Sequence, residues 1–252
     1  MAVDSSGNVY TTGYFEGTVD FDPGAGTANL TSNGGRDVFV SKLDSLGNYV
    51  WAKHFGGTEG DRGFSVAVDS SGNVYTTGDF RGTFDFDPGA GTANLTANDG
   101  SDVFVSKLDS SGNYLWAKSW GGGVGGGVDD DIGYSVAVDS SGNVYTTGVF
   151  QHTVDFDPDE DETAELTSAG ARDLFVSKLD SSGNYLWATS FGGTASEIAN
   201  SVAVDSSGNV YTTGTFTGTV DFNPNPLEID NLEGGNDVYV SKLDSSGNYL
   251  WA

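Results

Sequence analysis

The chain has 252 residues, of which 36 are acidic and 10 basic, so its formal net charge is −26, and it contains no cysteine. The lack of cysteine excludes disulfides, thiolate metal sites and cysteine nucleophiles. The charge disfavours nucleic acid and anionic membranes as partners, because binding to phosphate needs clustered Lys and Arg. No apolar segment approaches the length of about 18 residues that a membrane-spanning helix needs, so we expect no membrane insertion.

Two sequence blocks recur four times and account for almost the whole chain. The block Ala-Val-Asp-Ser-Ser-Gly-Asn-Val-Tyr-Thr-Thr-Gly begins at Ala2, Ala67, Ala137 and Ala203. The block Ser-Lys-Leu-Asp-Ser-x-Gly-Asn-Tyr-x-Trp-Ala begins at Ser41, Ser106, Ser177 and Ser241. The repetition predicts a single domain over residues 1-252 made of four copies, at about 1-64, 65-134, 135-200 and 201-252. Their uniformity indicates recent duplication or deliberate construction, and we expect an excised or engineered array.

Each copy predicts four strands and two tight turns. In the second copy the strands cover residues 65–69, 74–80, 102–109 and 114–120. The turns, at 70–73 and 110–113, both read Ser-Ser-Gly-Asn, and Gly and Asn tolerate the positive φ of short hairpin loops. No helical periodicity of useful length is present.

The third strand of each copy indicates how the copies assemble. Val-Phe-Val at 38–40 and again at 103–105 is apolar on consecutive residues, so both faces of that strand need cover. Neighbouring blades supply such cover in a propeller. We therefore predict an all-β fold, a β-propeller built from four near-identical four-stranded blades, with the Trp of each copy on the outer strand. We favour a closed monomer; the alternative is a homodimer in which two chains close an eight-bladed ring.

The repeated blocks resemble a known family. Ala-Val-Asp-Ser-Ser-Gly-Asn-Val-Tyr and the Asp-Val-Phe-Val-Ser-Lys-Leu block are similar to SBBP repeats, named for a seven-bladed β-propeller, and the first block is also similar to NHL repeats. The resemblance implies a large secreted or surface-anchored bacterial parent without an assigned activity. It therefore implies an extracellular or cell-surface location, although no signal peptide is present in this sequence. The four copies here differ from the seven of the family name.

An acidic insert follows the second strand of each copy. Its alternation places apolar side chains on one side and carboxylates on the other, and carboxylates two residues apart offer oxygen ligands to a hard cation. The sequence therefore predicts Ca²⁺ sites, with the third insert favoured and the run 129–131 next. The predicted ligands are Asp20, Asp22, Asp85, Asp87, Asp155, Asp157, Asp159, Asp161 and Asp221. The other interpretation, which we favour, is that these carboxylates are solvated or cap loop amides.

The remaining residues favour a non-enzymatic function. Lys42 and its three equivalents are expected to pair with a carboxylate such as Asp37 or Asp44, and His54 and His152 occupy unrelated positions, so no repeated catalytic site is predicted. We predict a structural or interaction module stabilised by Ca²⁺, with an unidentified protein or glycan as partner. The alternative is a carbohydrate-binding propeller that uses Asp with Tyr or Trp from each blade. A glycan-cleaving enzyme is less favoured, because near-identical blades do not make an asymmetric site.

Overall fold

The chain folds into antiparallel sheets. The computed structural model describes residues 1–122, 129–159, 162–225 and 227–252, and these contain strands and no helix. This part of the chain therefore contains no helix able to cross a membrane. The all-β class that the sequence predicts is confirmed.

Four main sheets follow one another along the chain. The strands of each lie in sequence order, from a first, inner strand that contacts neighbouring sheets to a last, outer strand. The first is formed by β1 (Ala2–Val3), β2 (Val9–Phe15), β5 (Asp37–Leu43) and β6 (Tyr49–Phe55), while β3 (Thr18–Asp20) and β4 (Asn29–Thr31) form a separate two-stranded sheet. The second contains β7 (Arg62–Val68), β8 (Val74–Asp85), β9 (Asn94–Leu108), β10 (Tyr114–Trp120) and β11 (Asp129–Asp130), which is parallel to β9.

The third and fourth sheets repeat this order. The third is formed by β12 (Ile132–Val138), β13 (Val144–Phe150), β16 (Asp173–Leu179) and β17 (Tyr185–Phe191), while β14 (Thr153–Asp155) and β15 (Glu165–Thr167) form a separate two-stranded sheet. The fourth contains β18 (Ile198–Val204), β19 (Val210–Asp221), β20 (Asn231–Leu243) and β21 (Tyr249–Trp251). In the second and fourth sheets the insert hairpin continues the long central strands instead of forming a separate pair.

The predicted turns are held by their aspartates. Asp69 Oδ1 accepts hydrogen bonds from the backbone N–H groups of Ser71 and Asn73, both at 2.9 Å. Its Oδ2 accepts the Asn73 side-chain amide at 2.8 Å and the hydroxyl of Tyr75 at 3.0 Å. Gly72 has φ of 80°, in the left-handed region that glycine favours. One carboxylate thus closes the turn and satisfies a fully buried tyrosine hydroxyl.

The hydrophobic core lies between consecutive sheets. Val38 and Val40 of the first sheet are fully buried in one cluster with Phe80 and Phe104 of the second sheet. Equivalent clusters join the second sheet to the third and the third to the fourth. The central strands of the second and third sheets therefore bury one face against the preceding sheet and the other against the following sheet, as their consecutive apolar residues predict.

The insert hairpins strengthen these junctions. The ring of Phe86 in the second insert lies 5.7 Å from that of Phe55, at the end of the outer strand of the first sheet. Phe156 lies 6.1 Å from Trp120 in the same arrangement, and Phe222 lies 5.8 Å from Phe191. Such aromatic contacts contribute beyond the area they bury. The inserts therefore attach each sheet to the sheet before it.

The sheets do not close into a ring. Val38 and Val40 are fully buried, whereas their equivalents in the last sheet, Val238 and Val240, are 72% and 48% exposed. Strand packing joins the first sheet to the second, the second to the third and the third to the fourth. The structure thus differs from the closed four-bladed ring that we expected, because three junctions do not bring the last face back to the first.

We predict that Asp69→Ala destabilises the fold more than Asp109→Ala, its counterpart in the outer turn. Both substitutions remove the same backbone caps, but only the first leaves the buried Tyr75 hydroxyl without its acceptor. The extra cost is about 1–3 kcal/mol in the free energy of unfolding. Urea denaturation of the two variants measures it, and equal losses would contradict this account of the turn.

Candidate functional site

The predicted calcium ligands lie in the inserts and bind backbone amides there. Asp20 Oδ1 accepts N–H groups of Asp22 at 3.0 Å and Ala28 at 2.8 Å. Asp85, Asp155 and Asp221 cap their own loops in the same way. Asp22 and Asp87 each accept the N–H two residues ahead at 2.7 Å, and Asp157 accepts that of Asp159 at 3.0 Å. These hydrogen bonds match the interpretation that the carboxylates cap loop amides.

The structure does not bring the carboxylates together as a metal centre. No group of three or more His, Asp or Glu side chains is placed to hold a metal ion within the described ranges. Asp159 instead pairs with Lys118, with 3.0 Å between Nζ and Oδ1. Asp161 lies outside the described residues. Calcium binding by the inserts stays a prediction.

The inserts border shallow grooves beside the outer turns. One groove, of about 450 Å³, is lined by residues 22–24 and 47–49, including Asp22 and Tyr49. The equivalent groove of the fourth sheet, of about 300 Å³, is lined by residues that include Asn223, Glu228 and Tyr249. A polar side chain and a tyrosine thus line both grooves, and carbohydrate binding there stays a prediction.

A different cleft gathers arginines. It measures about 500 Å³ and lies where residues before β5 meet the start of the second sheet. It is lined by Arg36, Glu59, Gly60, Arg62, Arg81 and Asp130. Arg172 Nη2 reaches to 3.9 Å from Asp130 Oδ2 at its margin. The cleft and its margin thus hold all four arginines of the chain, which come from three consecutive sheets.

The arginines differ in how far they are neutralised. Arg62 binds the buried Asp79 in a bidentate pair, at 2.9 Å from Nε and 2.8 Å from Nη2. Arg81 Nη2 donates to Asp130 Oδ1 at 2.7 Å. Arg36 lies 4.8 Å from the centre of the Tyr14 ring and forms no ion pair among the described residues. The Arg36 guanidinium therefore offers its hydrogen-bond donors to the cleft.

Sequence reasoning missed this cleft because it followed the repeats. Arg36 and Arg172 occupy the same repeat position, each directly before a buried aspartate, but Arg62 and Arg81 have no arginine counterparts. The available signal was the distribution of arginine, since every arginine lies between residues 36 and 172 of a strongly acidic chain.

The repeated lysines do not form the ion pairs that we predicted. Lys107 Nζ donates to the carbonyl oxygen of Ser181 in the next sheet at 2.8 Å and lies 5.0 Å from the centre of the Tyr75 ring. Lys42 and Lys178 make the same two contacts. These lysines therefore connect neighbouring sheets and do not pair with Asp37 or Asp44.

Buried carboxyl groups meet in pairs at the three junctions. Asp37 and Asp61 interact electrostatically between the first two sheets, Asp102 and Asp131 between the next two, and Asp173 and Glu197 between the last two. Burial raises the pKa of Asp61 to about 6 and that of Asp102 to about 7. Burial also raises the pKa values of Asp37, Asp173 and Glu197. One oxygen of Asp37 and one of Asp173 are buried without a hydrogen-bond partner among the residues that the structure describes, which makes a charge there costly.

Comparison with protein families agrees with the repeat pattern. The model of the SBBP beta-propeller repeat matches residues 50–79 and 186–218. These two segments of the chain match SBBP repeats. Each matched segment runs from the outer strand of one sheet into the first hairpin of the next, so the SBBP unit spans a junction and includes its buried carboxyl, Asp61 or Glu197.

Two curated proteins are similar to this chain. An uncharacterized WD repeat-containing protein of Acanthamoeba polyphaga mimivirus is 25% identical in an alignment of 312 positions that covers 100% of this chain and 22% of that protein. The regulatory protein FlaEY of Caulobacter vibrioides is 29% identical over 176 residues, which cover 68% of this chain and 17% of that protein. The chain thus spans about a fifth of the length of these relatives.

A solved structure adds nothing on the fold. The protein of unknown function from Bacteroides caccae aligns over 95% of this chain and 92% of its own at 11% identity. Its TM-score of 0.30 is too low to establish a common fold.

We predict that acid stabilises this fold down to about pH 4. A carboxyl whose folded pKa is raised adds stability below its unfolded pKa of 3.8, and this stability is lost as pH rises through the folded value, about 6 for Asp61 and about 7 for Asp102. The slope is at most about 1.4 kcal/mol per pH unit for each such carboxyl. The turn aspartates oppose this at lower pH, because hydrogen bonds from Asn8 lower the pKa of Asp4 to about 2.

Denaturation from pH 4 to 8 measures this dependence. Asp102→Asn should reduce the fall in stability between pH 4 and 7, because one titrating carboxyl is removed. Asp20→Asn is the matched control, since backbone hydrogen bonds from Ala28 and Asp22 lower the pKa of Asp20, opposite to the shift of Asp102. The same slope in Asp102→Asn as in the unaltered chain would refute the assignment.

Proposed function

We propose that this chain is a non-enzymatic interaction module and that the arginine cleft binds an acidic segment of a partner protein. The observation that carries the proposal is the gathering of all four arginines at one cleft of a chain with net charge −26. Planar guanidinium groups match carboxylates in bidentate geometry. The Arg62–Asp79 pair uses that geometry within the chain, and Arg36 has no carboxylate partner there among the described residues.

The asymmetry of the cleft supports a binding role. Most strongly repeated residues serve turns, strands or junctions, whereas the arginines come from three sheets and differ between copies. A site that a repeat array builds once suits recognition of a single partner. The names of the two relatives, one WD repeat-containing and one regulatory, are compatible with an interaction role, although the chain spans only about a fifth of each.

A purely structural role is the main competitor. Arg62 neutralises Asp79, whose side chain is 1% exposed, and its removal would leave a buried charge unpaired. Arg36 distinguishes the two interpretations because it neutralises no buried group. Its replacement should affect a ligand and leave the fold intact.

A second candidate function is carbohydrate binding at the tyrosine grooves. The grooves of the first and fourth sheets present Asp22 with Tyr49 and Asn223 with Tyr249, which supports several weak equivalent sites. Aromatic rings with adjacent polar groups suit sugar rings, which have apolar faces and hydroxyl edges. Calcium stabilisation of the inserts and an extracellular location of the parent protein also stay predictions from sequence.

Calorimetric titration with an oligoglutamate peptide, together with a glycan array, tests the two candidates. We expect Arg36→Ala to weaken peptide binding by roughly tenfold to a hundredfold, the loss of one charge-assisted contact. Lys53→Ala is the control for the same change of net charge outside the cleft. Tyr49→Ala should leave peptide binding unchanged and should lower any glycan signal. No peptide binding by the unaltered chain, or equal losses in the Arg36 and Lys53 variants, would remove the arginine proposal.

A further inference from the structure

The two ends of the array carry the two halves of the internal junction. On the last sheet, Val238 and Val240 are exposed, while their equivalents in the other three sheets are fully buried against the following sheet. On the first sheet, Phe39 and Leu43 are half-buried, while the equivalent Phe104 and Leu108 are buried against the preceding sheet. Val3, on the same face as Leu43, is 55% exposed.

The polar contacts at the three internal junctions are repeated in the same way. The indole N–H of Trp51 donates to the carbonyl oxygen of Ser110 in the next sheet at 3.2 Å. Trp116 donates in the same way to Ser181, and Trp187 to Ser245, both at 3.3 Å. Continuing the series, Trp251 should donate to Ser45, the equivalent residue in the first sheet. Trp251 is instead 45% exposed.

The surface of the first sheet that would receive such a tryptophan is also uncovered. The ring of Trp51 packs so closely on Gly112 that a Cβ there would lie 3.2 Å from Cδ2 of the indole. Gly183 and Gly247 receive Trp116 and Trp187 in the same way. A Cβ on Gly47, the equivalent glycine of the first sheet, would meet nothing within 4 Å. Donor and acceptor surfaces of one junction therefore remain at opposite ends of the chain.

We propose that a second copy of this chain occupies both end faces. The last sheet of each copy packs on the first sheet of the other, with Trp251 on Gly47 and its indole N–H directed to the carbonyl oxygen of Ser45. The occupant follows from the internal junctions, where near-identical sheets already cover these same faces. The contact is head-to-tail, and two of them related by a two-fold axis close a ring of eight sheets. This proposal is independent of the arginine cleft.

Charge sets the conditions for this assembly. Each copy carries a formal net charge of −26, so two copies repel at low ionic strength. Salt screens this repulsion over a Debye length of about 8–10 Å at physiological strength. The two-copy species should therefore gain population as NaCl is raised, as expected when apolar faces provide the attraction.

Light scattering after size-exclusion chromatography, over a range of concentration and salt, tests the proposal. We expect twice the chain mass of 26.2 kDa. Val238→Asp alters the donor face and Val3→Asp the acceptor face, and each residue is already exposed in the single chain, so each variant should fold. Each should raise the dissociation constant by roughly a hundredfold or more, because the dimer would bury an unpaired carboxylate.

Leu227→Asp is the matched control. Leu227 is 90% exposed in the insert of the fourth sheet, away from the strand faces, so its substitution adds the same charge without touching the junction and should leave the dimer unchanged. Circular dichroism and melting temperature confirm that all three variants fold. A single-chain mass under all conditions overturns the proposal, including the case in which one chain closes on itself. A ladder of larger species, or a dimer that persists in both junction variants, also overturns it.

Discussion

The structure depends on one constraint: an antiparallel sheet with two apolar faces needs cover on both. In this chain the cover comes from the neighbouring copy, which buries Val38 and Val40 on one side of a junction and Phe104 on the other. The loss of water-exposed apolar surface is the main favourable term. The aspartate-capped turns, the bridging lysines and the insert phenylalanines hold each sheet in the position where this burial is complete.

The junctions also concentrate the electrostatic cost of the fold. Asp61 and Asp102 have raised pKa values because burial, and not a cationic partner, dominates their surroundings. The arginines lie close by but neutralise Asp79 and Asp130 instead. The molecule thus has buried carboxyl groups at its junctions, with pKa values raised by burial, and an external cleft with guanidinium donors.

The four-stranded copies, their turns and the cover between neighbours could be predicted, because each depends on residues repeated in every copy. Ring closure could not, because it depends on a small rotation at each junction that no residue pattern encodes. The carboxyl pairs were missed because Asp61, Asp131 and Glu197 lie in linkers of unequal length and type. The arginine cleft was missed because its members share no repeat position as a set. Sequence repetition therefore predicts the scaffold and gives no signal for the features that occur once.

The stability of each sheet comes from cover by its neighbours and not from its own sequence alone. The third strands provide the test: β16 is covered on both faces, whereas β20 has one exposed face and a similar sequence. Amide hydrogen exchange by mass spectrometry should be measured in the Val3→Asp variant, where β20 is unaltered and docking is blocked. We expect β16 to exchange more slowly than β20 after correction for intrinsic rates. Equal protection, or slower exchange in β20, would contradict the central claim.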